Sequence, residues 1–404
     1  MHYFKIYCKR HRLQYALFKI IVLASIILVL SKISLKGRRT FTPNITDKYE
    51  TYDFQEELVQ KARARSNCRF NKGMTYVICD SLPYTEIQCS DSKRKAKSQH
   101  ETGLDFVVPN IIHFIWFGNY LEISQFYQFL SLRSVASLQQ PDAIYIHHNT
   151  ANNGSGSNVI LNRIVKEIPC IHFVHHEEPV SIFNNKISTH LLRSDVVRLQ
   201  ILLKHGGVYL DLDVITLKQF DPLRVYSTTF GRSVSNKISN GIILSEKKAP
   251  FIEAWYNEYK NYKEGIKSYA YWGVNIPMQL YRKYPQLRAH MEESSINRPN
   301  PWVDGWDATS TAQLDISDNY FLHVHPSYFS DKGGSSMLGW SEDRLRTLDT
   351  VYGTAARIAL FGSPELVFLT GEEPFQMWPK RRFRSFNLLT TEDKEVLKPG
   401  VKTL

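Results

Sequence analysis

The chain has 404 residues, 43% hydrophobic and 22% charged, a balance that excludes a disordered, collagen-like or multi-spanning protein. Its net charge of +11 is unevenly spread: residues 1–40 hold nine lysines and arginines and no acid, leaving 41 basic against 39 acidic groups in the remaining 364. A nucleic-acid binder needs its basic footprint on the folded domain, so no nucleic-acid partner is expected.

In chain order, residues 1–12 form a short basic tail and residues 13–34 (LQYALFKIIVLASIILVLSKIS) an apolar segment charged only at Lys19 and Lys32. About 20 apolar residues span a bilayer as a helix, and no small-residue cleavage site follows this one. The segment reads as a signal-anchor transmembrane helix of a single-pass type II protein, with residues 1–12 cytosolic and everything after the span lumenal. Asn44-Ile-Thr and Asn153-Gly-Ser are glycosylation acceptors. Four cysteines follow the span, Cys68, Cys79, Cys89 and Cys170. In an oxidising compartment they predict two disulfides, with all three pairings open. Residues 35–105 are polar and read as a stem region.

From residue 106 the pattern changes, and a domain over 106–390 is expected. IIHFIWFG (111–118) is a buried strand, about 122–139 a helix, AIYIHH (143–148) a strand, about 157–167 a helix, and CIHFV (170–174) a third strand. The longest periodic helix covers 187–205 and stops at Gly206-Gly207. GVYLDLDVITL then runs from a strand into an acidic turn. Further on, GIILS and 320–324 are strand-like, and 249–263 and 276–284 helical. Strands alternating with helices predict an α/β domain with a mostly parallel sheet.

Asp211 and Asp213 directly follow a four-residue apolar strand. In an extended chain i and i+2 share a face, and two adjacent carboxylates repel unless a cation sits between them. Hard oxygen ligands select Mg2+ or Mn2+, and the carboxyl ends of strands are where open α/β sheets bind ligands. Asp195 and Arg198 share a face of the preceding helix, and the two glycines turn that helix tightly into the strand.

The run Ser194-Asp195-x-x-Arg198, Leu202, Gly206-Gly207-x-Tyr209-x-Asp211-x-Asp213 resembles the DXD sugar-binding region of family 32 glycosyltransferases, a group that includes α1,4-galactosyltransferases and initiating α1,6-mannosyltransferases. The strand at 111–118, with Trp116, resembles that family's opening strand. The resemblance covers roughly 106–245. It implies a GT-A-like, Rossmann-type mixed sheet behind the transmembrane helix and stem, and an Mn2+-dependent (or Mg2+-dependent) Golgi membrane hexosyltransferase. Such an enzyme takes a nucleotide diphosphate sugar, UDP-galactose as first expectation, and a glycan or glycolipid acceptor, with retention at the anomeric carbon. Asp211 and Asp213 would hold the metal, Asp213 the more directly. Asp195, Arg198, Tyr209 and Asn240 would contact the donor, and Trp116 would stack on its base. Relatives add a late ligand from the C-terminal part. Here His323 and His325 alternate onto one face, and the Gly/Ser-rich run 331–340 resembles a lid. The chain departs from the family in lacking the late His-x-x-x-x-Ser-Trp pattern near 352–363, which leaves the third metal ligand open. Two other functions compete: a catalytically inactive anchored lectin-like or scaffold protein, and a metal-dependent phosphohydrolase. The intact set of Asp195, Arg198, Asp211 and Asp213 weighs against the first, and the chain lacks the further His/Asp clusters that sites of the second kind use.

Overall fold

Strands and helices follow one another in the expected order in the computed structural model, which describes residues 67–70, 76–90, 104–118, 121–150, 158–233, 237–268, 270–301, 304, 314–326 and 340–372. The chain divides into two units, Met1–Asp53 and Phe54–Leu404, and every described residue lies in the second. The expected span at 13–34, both glycosylation acceptors, residues 331–339 and residues 305–310 lie outside the described residues. Among the described residues no helix is long and apolar enough to cross a membrane.

The elements are β1 (Cys68–Phe70), β2 (Tyr76–Cys79), β3 (Ile111–Trp116), α1 (Phe126–Leu138), β4 (Ala143–His148), α2 (Val159–Glu167) and β5 (Ile171–His175). A two-stranded ribbon, β6 (Ser181–Ile182) and β7 (Asn185–Lys186), leads into α3 (His190–His205), β8 (Gly207–Leu210) and β9 (Val214–Thr216). Then come β10 (Thr228–Arg232), β11 (Ile238–Ser245), α4 (Pro250–Glu258), a π-helical turn (Tyr271–Asn275), α5 (Ile276–Lys283) and β12 (Ala289–Glu292). The last elements are β13 (Phe321–His323), α6 (Glu342–Thr347), α7 (Val351–Phe361) and β14 (Leu366–Leu369).

Helix α3 begins three residues later than its periodicity predicts. Thr189 caps it, its hydroxyl accepting from the Leu192 amide at 3.3 Å, while the Ile187 amide is already paired with the Val180 carbonyl. Helix α1 likewise starts only at Phe126, where the Gln128 side chain accepts from the Gln125 amide at 3.0 Å.

Seven strands form the central sheet in the order β12-β10-β11-β8-β3-β4-β5. β5, β4, β3 and β8 are mutually parallel, β11 runs antiparallel to β8 and β10, and β12 is parallel to β10. The fold is therefore mixed α/β with a parallel-rich sheet. Both faces are covered, which is why β3, β8 and β11 read as near-continuous apolar runs. Ile112, Phe114, Val208, Leu210, Ile242 and Leu244 pack on one side with α1 and α7; Tyr209 and Ile243 face the other with α3 and α4.

Residues 67–70 and 76–90, expected in the stem, fold onto this unit. β2 pairs in parallel with β14, and the Thr85 amide donates to the Leu360 carbonyl. The cysteine pairing is Cys68–Cys79 and Cys89–Cys170, the second bond fastening this segment to the residue before β5. Alkylation of the unreduced protein is expected to modify Cys8 alone. Modification of all five thiols without prior reduction would refute the pairing. Because Cys89 and Cys170 lie 81 residues apart, opening that loop is expected to destabilise the domain by roughly 4 kcal/mol in a chain-entropy treatment.

Between β3 and the end of α3 lies a chain of buried imidazoles. His113 Nε2–H donates to the Gly206 carbonyl at 3.0 Å, which leaves its Nδ1 to accept from His147 Nε2–H at 3.1 Å. Burial, opposed by the Gly206 bond, brings His113 down to about 4; burial and the neighbouring His113 and His176 bring His147 to about 3. Both values lie below the unfolded value near 6.5, so the unfolded chain binds more protons between them. Stability is then complete above pH 6.5 and falls as pH drops toward 4, by at most about 1.4 kcal/mol per histidine per pH unit. Denaturant unfolding at pH 7 and pH 5 checks this. His147→Gln, which keeps a donor for His113 but does not titrate, is expected to flatten the dependence; an unchanged slope would assign it elsewhere.

Candidate active site

The chain leaves β3 through β4 and β5 on one side, then returns through α3 to β8 on the other side of β3. A crevice opens at such a reversal, outside the carboxyl ends of the two central strands. Those ends are Trp116 on β3 and Leu210 on β8, with Asp211 next in the chain.

Asp211 and Asp213 do not share the face of one strand, as the i, i+2 spacing predicts. They lie in a turn between two sheets. The Asp211 amide donates to the Gly241 carbonyl at 2.8 Å, extending the β8–β11 ladder, whereas the Asp213 carbonyl accepts from the Val324 amide at 2.9 Å, opening the β9–β13 pair. Their carboxylates nonetheless converge on a common partner. His323 Nε2 is 3.1 Å from Asp213 Oδ1 and 3.9 Å from Asp211 Oδ2. His323 ends β13, so simple alternation does not carry His325 to the same side; a left-handed backbone (φ +52°) does, and the two rings stack 3.6 Å apart. Atoms of Asp213, His323 and His325 able to bind a metal lie within 4.8 Å of one another.

The electrostatics follow from burial. Desolvation works against the Asp213 charge, but His323 and His325 outweigh it and hold the carboxyl at about 2. Burial likewise opposes the His323 charge, and Asp213 overcomes it, raising His323.

A second cluster adjoins this one on α3. Asp195 and Arg198 are buried, 2.9 Å apart, and Arg198 also donates to the Asn240 carbonyl at 2.6 Å. The Arg198 guanidinium lies 4.3 Å above the Tyr209 ring and 3.5 Å from Asp211 Oδ1. Asn240 Nδ2–H donates to Asp195 Oδ1 at 2.8 Å, while Asp195 Oδ2 is buried with no hydrogen-bond partner among the described residues. Burial raises Asp195 to about 6 against the pull of Arg198.

Of the expected site residues, Asp195, Arg198, Asn240, Asp211, Asp213, His323 and His325 are thus brought together, and Trp116 stands at the end of the neighbouring strand. Tyr209 is 3% exposed and its hydroxyl donates to Asp211 Oδ1 at 2.6 Å, so it buttresses that carboxylate. Two glycines escaped the sequence reading. A Cβ on Gly241 would stand 2.6 Å from Asp211 Oδ2 and 2.5 Å from His323; one on Gly273, in the π-helical turn, would stand 2.6 Å from Asp195 Oδ2. Their signal is absence of a side chain, which no local pattern distinguishes from an ordinary turn.

Residues 130–230 match the family described as "Glycosyltransferase sugar-binding region containing DXD motif". That stretch of the chain is thus similar to a DXD-containing glycosyltransferase sugar-binding region. Its relatives include "Glucan organizing enzyme 1" of Cryptococcus neoformans var. grubii, 29% identical over 195 residues (44% of this chain, 51% of that protein). "Inositol phosphoceramide mannosyltransferase 3" of Schizosaccharomyces pombe is 45% identical over 60 residues (15% of this chain, 17% of that protein). The chain therefore spans about half or less of the length of these relatives. Solved structures with some likeness include "PaToxG Glycosyltransferase" (TM-score 0.35, 17% identity, 48% of this chain and 78% of that one) and mouse xyloside xylosyltransferase 1 (TM-score 0.36, 12% identity, 54% and 97%).

Proposed function

We propose that the protein transfers a hexose from a nucleotide diphosphate sugar to a glycan or glycolipid acceptor, with retention, in a GT-A-like site. The observation that carries this reading is the meeting, at the carboxyl ends of β3 and β8, of a DXD carboxylate pair with a buried Asp195–Arg198–Asn240 cluster. Asp195 Oδ2 is a buried acceptor placed to receive a sugar hydroxyl, and Arg198 and Asn240 fix its orientation. Trp116, half-buried at the end of β3, offers a ring face for the base.

The donor set fits a divalent ion. Asp213, His323 and His325 would hold it, with Asp211 beside them; this mix of oxygen and nitrogen suits Mn2+ better than Mg2+, which is bound through oxygens and water. Such an ion supplies charge stabilisation to the leaving diphosphate. The chain's own contribution is to aim the two carboxylates together through Tyr209, Arg198 and His323.

The test is donor hydrolysis by the purified full chain with UDP-galactose, UDP-GlcNAc and GDP-mannose, each with Mn2+ and with chelator. UDP-galactose remains the first expectation, and a relative named as a mannosyltransferase is the reason for including GDP-mannose. Chelator-sensitive hydrolysis of one donor is expected. Binding of a donor with no turnover of any would favour the lectin-like alternative. We place the protein in the Golgi membrane as a type II protein, so protease added to sealed microsomes is expected to spare residues after the span; complete digestion without detergent would reverse that orientation.

A further inference from the structure

On the sugar-transfer reading above, we infer that Gly273 is the residue that fixes donor-sugar specificity. Its missing side chain keeps open a small polar cradle, bounded by Asp195 Oδ2 and Asn240 Nδ2, that receives one hydroxyl of the donor hexose.

A Cβ on Gly273 would stand 2.6 Å from Asp195 Oδ2 and 2.6 Å from Asn240 Nδ2, closer than real Cβ contacts come. The backbone does not demand glycine here, because φ is not positive at Gly273 and the residue lies in a helical turn. What excludes a side chain is the pair of polar atoms opposite. The turn is held against them from behind. The Trp272 carbonyl accepts from Trp255 Nε1–H at 2.9 Å, and the Trp272 ring packs 5.6 Å from Tyr259 and 5.4 Å from Tyr262, all buried. The Ile276 amide reaches back five residues to the Tyr271 carbonyl. Pro277 has no N–H to give the Gly273 carbonyl, so the ordinary helical ladder is already broken at this point. Such π-helical turns gather at functional sites.

The chemistry of the cradle selects a hydroxyl. Asp195 Oδ1 already faces Arg198 at 2.9 Å and accepts from Asn240 Nδ2–H at 2.8 Å, whereas Oδ2 is buried with no hydrogen-bond partner among the described residues. Arg198 is committed to protein acceptors, the Asn240 carbonyl at 2.6 Å and the Ser194 hydroxyl at 2.9 Å. A carboxylate only accepts, and the Asn240 amide has a second N–H to give. A hydroxyl answers both, donating to Asp195 and accepting from Asn240. An ammonium group only donates and a carboxylate or ether only accepts, so either would leave one side of the cradle unpaired. An acetamido group is larger than the one side chain that glycine lacks. The site therefore takes a neutral hexose with a free hydroxyl at this position.

The experiment is calorimetry with Mn2+ on the full chain, wild type and Gly273→Ala, with melting curves for both. The titrants are UDP, GDP, UDP-galactose, UDP-GlcNAc and GDP-mannose, followed by the monodeoxy forms of the donor that binds best. Gly273→Ala is expected to weaken binding of that donor about 100-fold, within the range for one added methyl group in a pocket, and to leave UDP and GDP affinity unchanged. One monodeoxy donor is expected to bind wild type about 100-fold more weakly than its parent, the loss when a buried charged acceptor goes unpaired. That same donor should lose nothing further on Gly273→Ala, whereas the other deoxy donors should suffer from the substitution as the parent does. If the variant does not fold, the deoxy series on wild type still decides whether the cradle binds a hydroxyl. Unchanged donor affinity in a folded Gly273→Ala protein would overturn the proposal and make the cradle a structural feature. So would a wild type indifferent to every deoxy donor, or a loss of UDP and GDP affinity equal to the loss for the donor. Nucleotide binding with no gain from the attached sugar would overturn this inference alone, and a wild type that binds neither UDP nor GDP would overturn the sugar-transfer reading with it.

Discussion

Asp213→Asn is expected to lower donor turnover by about 10²–10³-fold, the usual loss when one transition-state electrostatic contact is removed, while the melting temperature moves by only a few degrees. Asp213 is the carboxylate nearest His323, at 3.1 Å, and belongs to the group of three that could hold a metal. Asparagine keeps the volume but loses the charge. The fold tolerates the change because the pair dissolves without leaving a buried charge: His323 is raised by Asp213 against the effect of burial, so once Asp213 is gone the imidazole becomes neutral. Hydrolysis assays and melting curves with and without Mn2+ check both parts. Wild type is expected to melt higher with Mn2+ and the variant not to respond. Near-normal turnover would remove Asp213 from the metal set, and a large melting loss without metal would make the Asp213–His323 pair structural.

Arg198→Met is expected to strike stability as hard as activity. Arg198 is 5% exposed and holds Asp195 at 2.9 Å, the Asn240 carbonyl at 2.6 Å and Asp211 at 3.5 Å. Removing one member of a buried ion pair costs about 3–5 kcal/mol, because the partner's charge is left uncompensated. Lysine should restore little, since it lacks the planar fork that serves several acceptors at once. The loss also carries a pH signature. Burial already raises Asp195 to about 6, and Arg198 is the group that pulls it down; without Arg198 the carboxyl rises further above its unfolded value near 3.9. A raised carboxyl contributes stability at low pH that is lost as pH climbs through the folded value. The variant should therefore be more stable relative to wild type at pH 5 than at pH 8, as denaturant midpoints would show. A pH-independent deficit would mean that Asp195 stays ionised, stabilised by Asn240 alone.

Much of the domain was legible in the residues. The order β3, α1, β4, α2, β5, α3, β8 follows from apolar runs and periodic stretches, because burial on both faces of a parallel sheet and on one face of a helix leaves a local pattern. The DXD carboxylates and the Asp195–Arg198 pair lie close enough in sequence for helix and strand geometry to relate them. Pairings across long separations left no such trace. The register that sets His323 opposite Val214, and so beside Asp213, comes from the β9–β13 ladder. His325 joins it only through a left-handed residue. The strands assigned to a polar stem are folded because β14 pairs with β2, and the Thr85 hydroxyl reaches the Leu360 carbonyl 275 residues away. Gly241 and Gly273 matter for what stands opposite them, Asp211, His323 and Asp195. Composition and periodicity determined the layers, the candidate chemistry and its place on the sheet. The tertiary structure decided how His323 and His325 come to stand beside the acidic pair, that Tyr209 is bonded to Asp211, and which loops stand beside the site. Those depend on strand register and close approach, which are properties of pairs of distant segments and not of either segment alone.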